Sequence, residues 1–69
     1  MDTAGGPRDI PELSVVTLTH TVEHQARELP EGAEGMVVHA WSDGEHYAVE
    51  FNTPFRCVVS VARGDIRPA

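Results

Sequence analysis

Apolar and polar side chains alternate along most of the chain from Leu13 onward, and nowhere does the i, i+3, i+4, i+7 stripe of an amphipathic helix run for long. The pattern predicts an all-β protein. Leu13 to Val22 reads as a first strand rich in Val and Thr, with Val16, Leu18, His20 and Val22 on one face and Val15, Thr17, Thr19 and Thr21 on the other. From Glu23 to Glu34 the alternation lapses and charge accumulates. There Leu29-Pro30-Glu31-Gly32 offers the proline-set dihedral and the glycine that suit a turn. The helix formers between Glu23 and Leu29 are too few to hold a helix before Pro30, so this segment is expected to be one long loop.

Gly35 opens a second run, Met36 to Trp41, which Ser42-Asp43-Gly44 joins to His46 to Phe51; Asp-Gly between apolar runs is a strong hairpin signal. Two registers compete. A two-residue loop puts Met36, Val38 and Ala40 on the face of Tyr47, Val49 and Phe51, whereas a three-residue loop with Gly44 left-handed puts Val37 and His39 there. The second is preferred because it leaves flexible Met36 outside, with a bulge able to return Ala40 inward. Asn52-Thr53-Pro54 then turns the chain into Phe55 to Val61, where Phe55, Cys57, Val59 and Val61 oppose Arg56, Val58 and Ser60. Ala62-Arg63-Gly64-Asp65 fits a single 3₁₀ turn before Ile66 closes the sheet and Pro68 ends it. About five short antiparallel strands are best buried by curling into a small SH3-like barrel, which hides one face of each strand and removes edges.

Composition narrows this further. A chain of 69 residues supports one domain, because at this size only roughly 60% of the unfolded surface is buried on folding. Residues 1–12, with Gly5, Gly6, Pro7 and Pro11, are expected to form a flexible N-terminal tail, leaving 13–69 as the single barrel domain. With Cys57 alone, an intrachain disulfide is excluded, and packing, a partner or self-association as a homodimer must supply stability. Cys57 itself reads as a small packed hydrophobe. No apolar run has the length of a signal peptide core or a membrane span, so a cytoplasmic, unanchored protein is expected.

Five basic residues, all Arg, face eleven acidic ones, for a formal net charge of -6. Such a field repels phosphate backbones and disfavours a nucleic-acid partner. The charge is also lopsided. Glu23, Glu28, Glu31, Glu34, Asp43, Glu45 and Glu50 surround Arg27 alone, whereas Arg56, Arg63 and Arg67 follow Phe51 against Asp65. An acidic surface of this kind steers a basic protein partner.

The chain carries, in order, Gly32-Ala33-Glu34-Gly35-Met36-Val37-Val38-His39, Asp43-Gly44, Tyr47-Ala48-Val49-Glu50-Phe51 and Gly64-Asp65-Ile66-Arg67-Pro68. In this order of parts, from Val15 to Ala69, it resembles a family of short bacterial proteins of unknown function, the DUF4926 type. More distantly the chain is similar to the SH3-like barrels of the nitrile hydratase β subunit and of KOW modules. The resemblance implies a stand-alone bacterial barrel serving as an accessory, interaction or antitoxin-like protein, with no catalytic residues to transfer.

Four histidines invite a metal reading. His20 and His24 on a strand stand roughly 13 Å apart, too far to share an ion. His39 and His46 flank one hairpin turn and are the better candidates, although two imidazoles without a further ligand make half a site. Ser14, Ser42 and Ser60 sit on no strained elbow and Cys57 reads as packed, so a catalytic nucleophile is not expected, nor is a cofactor. Solvated carboxylates without a pocket cannot divide acid and base roles. The functional expectation is a non-catalytic interaction or accessory module whose binding face combines Trp41 and Tyr47 with Glu28, Glu31 and Glu34. Its rivals are an antitoxin or immunity protein neutralising a basic toxin, and a small metal-binding protein using His39 and His46.

Overall fold

β-Branched residues and short turns produce strands throughout the computed structural model, which describes residues 10–69. Among the described residues the elements are β1 (Val15–Leu18), β2 (Val22–His24), β3 (Arg27–Leu29), β4 (Glu34–Ala40), β5 (His46–Phe51), β6 (Cys57–Ala62), a 3₁₀ turn (Arg63–Asp65) and β7 (Ile66–Pro68). All pairings are antiparallel. One sheet runs β6-β5-β4-β1-β7, so the last strand returns beside the first, and β2-β3 is a separate hairpin. The all-β expectation, the Asp-Gly hairpin, the 3₁₀ turn and the closing strand at Ile66 are all present.

The expected first strand is cut short. After Leu18 the chain bends, because Thr19 is held to the 3₁₀ turn: its amide donates to Asp65 O at 2.8 Å and its hydroxyl to Gly64 O at 3.0 Å. His20 therefore leaves the buried face and is exposed. The expected long loop is also wrong. Val22 pairs with Leu29, Glu23 with Glu28 and His24 with Arg27, around Gln25 and Ala26 at φ 53° and 65°. Two consecutive positive φ values are what a tight hairpin turn of matching twist requires. Leu29, at the end of this hairpin, is fully buried.

Val37 opposes Val49, as the preferred register requires, and Met36 faces outward. The register then shifts: His39 opposes Ala48 and Ala40 opposes Tyr47. The bulge at Val38 turns Ala40 back toward the core, while His39, expected inside, is exposed. The connection is also longer than either register assumed, since the Trp41 amide donates to His46 O at 3.1 Å and four residues lie between them. Gly44, at φ 71°, takes the left-handed position as expected.

Every second residue along β1, β5 and β6 is buried: Val16 and Leu18, then Tyr47, Val49 and Phe51, then Val59 and Val61. Ile66 and Leu29 cover this layer from β7 and the hairpin. Ile10, assigned on sequence to the tail, is also in the core at 4% exposure. Burying such a side chain contributes about 1.5–3 kcal/mol; Ile10 therefore belongs with the domain and not with the expected tail, whose residues 1–9 lie outside the described residues. Gly35 is required by the β4–β5 crossing. A Cβ there would stand 2.6 Å from Val49 Cγ1 and 2.8 Å from Glu50 O.

Candidate functional site

The side of the sheet away from the core is unusually apolar. Strand pairing lines up Val15, Met36, Glu50 and Val58 in one row across β1, β4, β5 and β6. Val38 is lifted out by the bulge, and Leu13 precedes β1, its amide bonded to Val37 O at 2.6 Å. Trp41 ends this surface. Leu13, Val15, Met36, Val38, Trp41 and Val58 are 37–70% exposed, and they are the large hydrophobics left exposed among the described residues. The concentration of Val15, Met36, Val38, Trp41 and Val58 on one side of a sheet distinguishes them from scattered surface apolars, which need no explanation.

The Trp41 end is organised by short polar contacts. The His39 ring meets Trp41 edge-on, with centroids 4.6 Å apart and planes at 86°. Its Nδ1 lies 3.6 Å from Glu12 Oε2, which also accepts a long hydrogen bond from the Ala40 amide at 3.4 Å. Across the turn, His46 Nδ1 and Asp43 Oδ2 are 2.8 Å apart, while Asp43 Oδ1 accepts the Glu45 amide at 2.8 Å and the His46 amide at 3.2 Å. The Glu45 amide first, and the His46 ring second, hold the Asp43 carboxyl below its usual range. Trp41, His46 and Ser60 line a shallow pocket of about 160 Å³. Asp43, His46 and Ser60 are the residue types of a nucleophilic triad, yet no hydrogen bond joins His46 to Ser60, and His46 and Asp43 are 59% and 50% exposed.

A second hollow, about 310 Å³, opens at the other end of the same face between Val15, Glu34, Met36, Glu50, Asn52 and Thr53. Glu50 is partly covered and has Arg56 Nε at 4.0 Å, the arginine itself being highly exposed.

The residues singled out on sequence do not form one face. Tyr47 is buried at 1% exposure, its hydroxyl reaching Gly44 O at 3.4 Å, and offers nothing to a partner. Glu28 is on the β2-β3 hairpin, and Glu31 lies in the following turn. Glu34 does belong to the outer face, but it is separated from Trp41 by the length of β4, roughly 20 Å at strand spacing. His39 and His46 each turn to their own carboxylate, and among the described residues no three His, Cys, Asp or Glu side chains are grouped to hold a metal ion.

What sequence reasoning missed is the outer apolar face. The signal was present in the doublets Val15-Val16 and Val58-Val59 and in Met36-Val37-Val38, which place apolar side chains on both parities of strands expected to be half-solvated. Cys57 is half-buried, and burial pushes its thiol up. Beside it, Arg27 stacks on Phe55, its guanidinium carbon 3.9 Å from the ring centre, which ties the hairpin to the connection between β5 and β6.

No protein-family model matches the chain, and it has no significant match among curated proteins or solved structures. No helix among the described residues is long and apolar enough to cross a membrane.

Proposed function

We propose that this chain is a non-catalytic protein-interaction module, an SH3-like barrel of the DUF4926 type, which docks a basic protein partner in the cytoplasm through the outer face of its five-stranded sheet. The barrel reading is supported by the order of parts: a first strand, a hairpin, a three-strand meander, a 3₁₀ turn and a last strand returned to the first. The family kinship rests on the glycine and turn pattern alone. The docking reading is carried by a single observation, the concentration of the exposed large hydrophobics on one sheet face. Glu50 lies on that face and Glu12 and Glu34 border it, while Arg56 reaches Glu50 and Arg67 shares a row with Thr17 and Glu34; the net charge of -6 favours a partner with basic residues around an apolar contact.

Site-directed photocrosslinking in cells tests this. A benzophenone side chain at Met36 or Trp41 is expected to trap one discrete partner protein with a basic contact surface, and the same group at Glu28 on the hairpin is expected to trap none. Crosslinking from Glu28 alone, from no position, or only to a second copy of the chain would overturn the reading.

A further inference from the structure

We infer that the hollow between Glu34 and Glu50 seats one arginine side chain of the partner protein. The inference rests on the docking reading above and specifies its chemistry. Val15 on β1 and Met36 on β4 are Cα partners and give the hollow an apolar floor, while Glu50 extends the same row on β5 and Glu34 stands beside Gly35 at the start of β4. Asn52 and Thr53 complete the lining. The hollow, at about 310 Å³, has room for a side chain.

Glu50 decides the occupant. Its side chain is 29% exposed, so its carboxylate is already partly withdrawn from water, and its sole ionic contact among the described residues is Arg56 at 4.0 Å. An apolar group entering the hollow would complete that withdrawal with only the long contact to exposed Arg56 to offset it, which is unfavourable for a charged group. A cation is therefore favoured. Lysine presents a compact, strongly hydrated charge that can serve one carboxylate. Arginine presents a planar fork with five donors, is more weakly hydrated, and can lie flat on Val15 and Met36 while reaching carboxylates on either side and the Asn52 and Thr53 oxygens. Arg56 reaching toward Glu50 from an otherwise exposed position marks where a guanidinium approaches this carboxylate. The net charge of -6 raises the local concentration of such a group before contact.

The test is a heteronuclear NMR titration of the full chain with N-acetyl-arginine methylamide, alongside the citrulline and lysine analogues at equal ionic strength. Saturable shifts are expected at Val15, Met36, Glu50, Asn52 and Thr53 with the arginine compound. They should be weaker with lysine and absent with citrulline, which keeps the shape and loses the charge. The E34Q/E50Q variant, whose amide spectrum reports whether it is folded, is expected to lose the arginine response, whereas E23Q on the β2-β3 hairpin retains it. Shifts of equal size at Glu28 and Glu31, an equal response to lysine, or a response that survives in folded E34Q/E50Q would overturn the assignment. Should E34Q/E50Q not fold, E50D, which shortens the side chain and keeps the charge, is expected to weaken the response, and an unaltered response would overturn it. A positive titration with no crosslinked partner removes the docking reading and leaves the hollow an arginine site. A crosslinked partner with a silent titration removes the arginine and leaves the docking face.

Discussion

Ala26 holds a backbone conformation that its own side chain opposes. At φ 65°, next to Gln25 at φ 53°, it sits in the left-handed region, where a Cβ approaches the following carbonyl and costs roughly 1–2 kcal/mol. Glycine lacks that contact but loses more backbone freedom on folding. The balance favours A26G, with an expected gain of about 0.5–1 kcal/mol. Urea unfolding reads this as a higher midpoint at constant slope, and a midpoint that falls would mean the turn is not held in this geometry. The same residue explains why the hairpin was illegible in the sequence. Asn-Gly or Asp-Gly announces such a turn, Gln-Ala does not, and the flanking strands of three residues each are too short to show alternation. Tyr47 is the opposite case. The alternation that puts Val49 and Phe51 inside also puts Tyr47 inside, so its assignment to a binding face contradicted a pattern already legible in the chain.

At the scale of elements, the end of β1 is tied to the 3₁₀ turn by a titratable clasp. His20 Nε2 lies 2.6 Å from Asp65 Oδ1, and the Ala62 amide donates to Asp65 Oδ2 at 2.9 Å. The Asp65 contact, followed by the Thr21 carbonyl, raises His20 above its ordinary value of 6.5; the His20 contact, followed by the Ala62 amide, lowers Asp65 below its ordinary 3.8. A raised histidine stabilises the fold fully below its ordinary value and loses that contribution as pH rises through its folded value. A lowered aspartate contributes fully above its ordinary value and loses it as pH falls through its folded value. The clasp is therefore strongest between those two ordinary values, 3.8 and 6.5. The melting-temperature difference between the native chain and H20A is expected to peak there and shrink toward pH 9; a difference independent of pH would show that the contact carries no charge. Sequence parity could not anticipate the clasp, because a partner 45 residues away in the chain overrides the local alternation that kept His20 on the strand. The elements that were legible, from β4 to β7, are those whose turns carry Asp-Gly, Pro or Gly at the required positions.

For the whole molecule, neighbouring valines have opposite fates: Val16 and Val59 are in the core, while Val15 and Val58 are 48% and 52% exposed on the outer face. If that face is open in the free protein, V15T and V58T keep the β-branched shape strands favour and each should alter stability by no more than about 0.5 kcal/mol. V16T and V59T put a hydroxyl into the core and should each cost about 1–3 kcal/mol. Urea unfolding of the four variants at two protein concentrations separates the possibilities. A large, concentration-dependent cost for V15T or V58T would mean that a second copy covers the outer face, because stability coupled to association follows mass action. A negligible cost at both concentrations would leave folding with no use for valine at these positions, and the apolar character of the face would then answer to a partner that docks there.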